Sequence, residues 1–445
     1  MTIKSALIVL IVALCHLSIW AQTNSVNTTS ELMHLSTNDE IIVVKDALSG
    51  GIFAHVDSSV NGIDQGVIYK RIKGGYWQRN FDRSTGVNPC WWGAKGDGIN
   101  DDLPAIKAAT AYCLQNETIM QFPSGVFRIT GQWVIGAKSI GEEDLFKGTA
   151  NRTFKIRQHE IARKTAPLII RGSIRTCIYG DFAPTVLTAI IFYNIYGCGL
   201  PKKPSAHLYT HEFSNIGVYG KDFFKGKIPT PPDSANMNNN QIGLAIYNCT
   251  NPKIDGCNFS GLKYGLIFKT SYFGSIKNCH FELCRTGLYT SDYNANLIEN
   301  IDGDRCNVFA EINGTNLVVN NFNTEFCATT LILSGRNIVF NGMYCENYKA
   351  ELPNHCQLIF GINETDSDYS KKTADETSRI IINGLSVSAI GRDAILFKNN
   401  VHQININAGN INGNIITTNT TNKIVLDNVI GIFKLTGPGV IKKTE

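Results

Sequence analysis

Three glycines, Gly243, Gly265 and Gly287, open the near-identical phrases GLAIYN, GLIFKT and GLYTSD at an exact spacing of 22 residues. Fainter copies follow in VFAEIN, TLILSG, QLIFGI and AILFKN. A repeat this short is one supersecondary unit that cannot bury its own apolar face, so successive copies must stack. The repeats are rich in β-branched residues, Asn and Gly, which disfavours helical pairs and points to a β-solenoid.

Each repeat reads as three short strands. Two of them are separated by one residue that is always Gly or Asn: Gly256, Asn278, Asn300, Asn321, Gly342, Gly384 and Asn428. Only Gly, Asn and Asp enter the left-handed region cheaply, so this phase predicts a one-residue corner. The next residue is mostly apolar (Cys257, Cys279, Ile301, Phe322, Met343, Leu385, Val429) and is expected to form an inward ladder. A sandwich of hairpins would need two-residue turns and variable spacing instead.

The 445 residues are 43% hydrophobic and 18% charged, enough for a large core. Residues 1–21 read as a secretory signal, with Lys4 ahead of the apolar run from Ala6 to Trp20, and the expected location is secreted. Leu14 ahead of Cys15 is too large for a lipoprotein signal, and no apolar run is long enough to span a membrane. Residues 22–39 read as a flexible leader, 40–89 as a small β-module, and 90–445 as the solenoid domain. Within that domain we expect a capping helix over 102–115, irregular insertions over 131–240 and regular coils over 241–435.

Of the 13 cysteines, Cys15 leaves with the leader. Cys257 and Cys279 share one repeat phase, and Cys284, Cys306 and Cys327 share another, which suits stacked buried thiols. Neither CxxC nor HExxH occurs, so no metal site is expected on those grounds. The net charge of +4 comes without any Lys/Arg block, so nucleic acid is not an expected partner.

The stretch WWGAKGDGINDDLPAIKAA, followed by QFPSGVFRI, resembles the pectate-lyase-like superfamily of right-handed parallel β-helices, which includes rhamnogalacturonase- and epimerase-type enzymes and phage tailspike depolymerases. Gly93 to Gly98, Asp101, Asp102, Ala105 and Ile106 carry the resemblance. It implies an all-β, right-handed parallel β-helix that acts on polysaccharide, with a substrate groove along the sheet that carries the GLxIY strands. Polygalacturonase-type members share Asn-x-Asp, Asp-Asp, Gly-His-Gly and Arg-x-Lys in that order. Here only Asn300-Ile-Asp302 fits and no Gly-His-Gly exists, so that mechanism is not carried over. Asp101 and Asp102 read as helix caps.

Two outward columns are candidate sites. On the strand after the corner, Ser260, Glu282, Asp304, Glu325 and Glu346 fall in one column, beside a row of Asn258, His280, Asp302, Asn323 and Tyr344. Stacked carboxylates about 4.8 Å apart repel one another unless protons, cations or function compensate. Neighbouring and next-neighbouring rungs match the two carboxyl separations used by glycosidases, with Glu325, Glu346 and Asp304 as the catalytic candidates. Ca²⁺ binding and simple pairing with Arg285 and Arg305 are compatible readings.

On the GLxIY strand the outward ladder reads Tyr247, Lys269, Ser291, Glu311, Ser334, flanked by Tyr289, Asp292 and Phe309. Tyr289, Lys269, Asp292, Glu311 and Tyr344 are the substrate-binding candidates, and Lys269 with Asp292 is the best pair for a lyase. The expected function is a polysaccharide-acting enzyme, hydrolase ahead of lyase, with a non-catalytic glycan-binding or surface-structural solenoid as the alternative. Association into an oligomer is compatible with either.

Overall fold

The computed structural model describes residues 24–58, 63–147, 152–161, 168–193, 211–221, 223, 239–247, 249–347, 356–361, 377–398, 401–420 and 422–444. They fall into two compact units, one comprising residues up to Lys95 with Pro104–Gln121, and the other Gly96–Leu103 with residues from Phe122 onward.

The first unit contains a five-stranded sheet. Its strands are β1 (Ser25–Val26), β2 (Ile41–Val44), β3 (Gly51–Val56), β4 (Ile68–Lys70) and β5 (Tyr76–Asn80), in the order β1-β2-β3-β5-β4. The expected flexible leader is instead part of this fold. Ser25 and Val26 pair with Val43 and Val44. Helix α1 (Thr29–His34) begins at Thr28, whose hydroxyl accepts the Glu31 amide, and carries Leu32 into a core with Ile42, Phe53, Tyr69 and Trp77. The Ser, Thr and Asn content that suggested a solvated leader supplies that cap. Arg79, 3% exposed, donates to the Ser49, Gly50 and Gly66 carbonyls and lies over the Phe53 and Trp91 rings. The helix expected over 102–115 is α2 (Leu103–Asn116).

The second unit is a right-handed parallel β-helix. Its chain order is nearly its spatial order, and each strand pairs with the equivalent strand one coil on, as Leu244 with Leu266, Leu288, Ala310 and Leu331. All seven predicted corner residues have φ between 49 and 77°. The residues that follow them, Cys257 to Val429, are at most 2% exposed. A second left-handed corner, unread in the sequence, passes through Phe273, Ala295, Asn316, Asn337, Arg379 and Gln403. Its mixed residue types hide it from a search for Gly or Asn.

Side-chain amides stitch the coils together. Asn278, Asn300 and Asn321 donate in turn to Asp255, Asn278 and Asn300, and a parallel chain links Asn320, Asn341, Asn383 and Asn407. Each bond satisfies a polar group that an in-register stack would otherwise leave facing its own kind.

The coils start before the expected residue 241. Thr176–Gly180, Thr188–Tyr193, His211–Ser214 and Gly217–Tyr219 already lie in register with later rungs. Long excursions, among them the antiparallel pair Ala137–Lys147 and Arg152–Ile161, interrupt the sequence period there and mask it. The eleven described cysteines are all buried free thiols, and Cys306 and Cys327 touch through a backbone N–H to Sγ contact of 3.4 Å. Cys15 and Cys198 lie outside the described residues.

Candidate functional site

Each coil presents three faces to the outside. The third, on the strand after the Gly/Asn corner, carries two outward columns. One runs Cys177, Gly217, Asn258, His280, Asp302, Asn323, Tyr344. The other runs Tyr179, Tyr219, Ser260, Glu282, Asp304, Glu325. Thus Glu282, Asp304 and Glu325 occupy consecutive rungs, about 4.8 Å apart by strand spacing. Glu346 follows Cys345, which registers with Thr324, and the pairing shifts by one residue before the next registered pair, Cys327 with Asn347. Its carboxylate accepts a 3.1 Å hydrogen bond from the Tyr344 hydroxyl, and this bond raises the phenol's pKa. Asp304 is held by Arg305, with Nη2 3.0 Å from Oδ2.

Ahead of its carboxylates the acidic column passes through Tyr219, which lines an open groove of about 790 Å³ together with Arg175, Asn215, Phe223 and Asn258, among others. The Tyr219 and Phe223 rings lie 4.9 Å apart at 35°. Gly217 makes room for the Tyr219 ring: a Cβ there would sit 2.4 Å from the ring edge. Burial pushes the Tyr219 hydroxyl pKa up, with the Glu282 carboxylate adding to the rise and a hydrogen bond with Asn258 opposing it. One rung beyond Asn258, His280 Nδ1 is hydrogen-bonded to the Asp302 carboxylate. That bond raises the imidazole's pKa against the opposing effect of burial. Sequence reading placed His280 and Asp302 in the right row without giving them a role. It missed Arg175, Tyr219 and Phe223, which sit among the excursions, and the 22-residue spacing of His280 from Asp302 was the available signal.

The first face, on the GLxIY strands, differs from the expected groove. Ala245, Ile267 and Tyr289 are in register and buried, and they pack with Phe192, Tyr247 and Tyr264 in one apolar cluster. The hairpin strand Arg152–Ile161 comes against Thr188–Tyr193 at this end of the face. Tyr289 is 4% exposed, with its ring 6.0 Å from Tyr264 in an edge contact, so it offers no open platform. Lys269 Nζ lies 5.3 Å over the Tyr247 ring. Glu311, 7% exposed, registers with Tyr289 and Ile332 and not with Ser291, because the true rung spacing from Ser291 ends two residues later. Phe309 points inward, between Phe281 and Phe322. Asp292 lies in the strand Thr286–Asn294, and its side chain is outside the described residues.

Asp101 and Asp102 bind backbone, as expected of a structural pair. Asp101 accepts from the Leu103 amide and from both the amide and hydroxyl of Thr130, while Asp102 accepts from the Gly96 amide. Among the described residues no group of three or more His, Cys, Asp and Glu converges to hold a metal ion. No helix among them is long and apolar enough to cross a membrane.

This architecture places the chain in the class of parallel β-helix proteins. No family model and no curated protein matches the sequence. Among solved structures, the chain is similar to the tailspike protein of Acinetobacter baumannii phage AM24, with a TM-score of 0.57 and 13% identity over 92% of this chain and 65% of that one. It is also similar to tailspike protein 2 of the Escherichia coli O157:H7 bacteriophage CBA120. The full-length protein gives a TM-score of 0.53 at 16% identity, over 95% of this chain and 50% of that one. Its enzymatically active domain gives 0.50 at 15%, over 94% and 53%. The chain therefore spans about half to two thirds of the length of these tailspikes, and what it shares with them is the fold.

Proposed function

We propose that this protein is a secreted enzyme that hydrolyses a polysaccharide on the third face of its β-helix. The observation that carries this reading is the register that sets Glu282 and Asp304 two and three rungs on from Tyr219, which lines the groove, in one outward column. Tilted aromatic rings present apolar faces to the C–H faces of sugars, and Arg175 and Asn258 supply polar contacts along the same groove.

In this reading Asp304, paired with Arg305 at 3.0 Å, is the nucleophile or base, and Glu282 is the acid that protonates the leaving oxygen. Adjacent rungs are close to the separation of about 5–5.5 Å that suits a double displacement with retention. Glu325, one rung further, would serve an inverting reaction with Glu282. Glu325 and Glu346, the pair favoured by sequence position beside the long loops, stand further along the face from the groove. The groove therefore shifts the assignment towards Glu282 and Asp304. Export rests on the leader at residues 1–21.

The test is incubation with plant, algal and bacterial polysaccharides. New reducing ends without unsaturated, UV-absorbing ends are expected, and Glu282→Gln and Asp304→Asn should each lower the rate about 10²- to 10⁴-fold without changing the melting temperature much. Unsaturated ends would convert the reading to a lyase. Full activity in both variants would remove this pair from the mechanism.

A further inference from the structure

The C-terminal coils carry a second groove of opposite character on the second face, the strand before the Gly/Asn corner. It has a volume of about 450 Å³, and Arg379, Lys423 and Lys442 line it. Its floor is the registered column Ile381, Asn405, Val425, Lys442, which spans four coils, about 14 Å by strand spacing. Among the described residues none of the three cations makes an ion pair. The same outward face carries one carboxylate in these coils, Asp427, which accepts the Thr444 hydroxyl. From residue 377 onward the sequence holds seven Lys and Arg against three acidic residues, Asp393, Asp427 and Glu445, whereas the whole chain is close to balance at 41 against 37.

The corner chemistry changes at the same place. In earlier coils Asn316 and Asn337 hold the second left-handed corner and bond to each other at 2.9 Å. Arg379 and Gln403 take over that phase at φ 56 and 55°, and both line the groove. A long side chain in the left-handed region is strained, and here the replacement ends a stabilising amide ladder while projecting a cation from the corner.

We propose that this groove is a second binding site, separate from the acidic face, for an anionic polysaccharide segment bearing carboxylate or sulfate groups. The cations would meet the acid groups, Gln403 and Asn405 the hydroxyls, and Ile381 with Val425 the apolar sugar faces. A nucleic acid would call for aromatic platforms to stack its bases, and none lines the groove. Such a site would hold the chain on an acidic glycan while the third face works elsewhere along it.

Calorimetry on the full chain tests this with three probes: an oligogalacturonate, a neutral dextran oligomer of similar length and a single-stranded oligonucleotide, each at low and high salt. The oligogalacturonate should bind, more weakly at high salt, and the dextran should not bind at this groove. Arg379→Ala/Lys423→Ala/Lys442→Ala should weaken oligogalacturonate binding about tenfold or more and flatten its salt dependence, with the melting temperature and the hydrolytic rate on a short substrate retained. Lys423→Gln/Lys442→Gln should show a smaller loss in the same direction. Tyr219→Ala should leave this binding in place, which separates it from the third-face groove. Unchanged oligogalacturonate affinity in the triple variant, or tighter binding of the oligonucleotide, would overturn the proposal.

Discussion

The first and third faces of the β-helix are built by the same rungs, a few residues apart on the same chain, yet they use their outward positions in opposite ways. On the first face Ala245, Ile267 and Tyr289 continue the apolar character of the interior and are buried. On the third, Asn258, His280, Glu282, Asp302 and Asp304 stay polar and accessible, and Glu282, Asp304 and Glu325 stand in a line that electrostatics alone would disfavour. The periodic pattern says where an outward column is. Only the cover, or its absence, says whether that column is surface.

This contrast can be broken by substitution. Tyr289→Ala should cost about 3–5 kcal/mol of stability, as deletion of a large aromatic from a packed cluster does, and should leave substrate binding unaffected in whatever protein remains folded; equilibrium denaturation and KM measure the two separately. A raised KM with undiminished stability would restore Tyr289 to the role of a sugar platform and return the groove to the first face.

Tyr219→Ala on the third face should do the reverse. A stacked ring worth about 1–1.5 kcal/mol translates into roughly five- to tenfold weaker polysaccharide binding, with little change in the unfolding midpoint.

The scaffold that both faces share is tested at a corner. Asn321→Ala puts a Cβ-bearing residue without a polar side chain at φ 52° and removes the bond to Asn300, so a loss of about 1–2 kcal/mol is expected. Asn321→Gly should recover the backbone part but not the ladder bond. Equal losses in the two variants would mean that the left-handed corner is not what Asn supplies.

The smallest expected effect is on pH dependence. Asp302 raises the pKa of folded His280, so the stability this pair contributes is fully present below the unfolded value of about 6.5 and is lost as pH rises through the higher folded pKa. Asp302→Asn should abolish that decline in denaturation curves recorded across the window. A variant with the wild-type pH profile would show that the pair does not couple to folding.

Much of this molecule was legible before any coordinates. The spacing of Gly243, Gly265 and Gly287 and the run of Gly and Asn from Gly256 to Asn428 determine a parallel β-helix, because only an in-register stack can bury so short a unit and only those residues turn that corner cheaply. Alternation then determines the inward ladder and the membership of the acidic column, including Glu282, Asp304 and Glu325. The tertiary structure alone decided the rest. The excursions before residue 241 break the period, so the early coils and the Tyr219–Phe223 groove carry no repeat signal. Glu311 lies two residues away from the rung that local spacing assigns it, a shift that only the pairing reveals. Whether Tyr289 or Tyr219 offers a ring to a sugar depends on what packs above it, and that contact joins residues far apart in the chain.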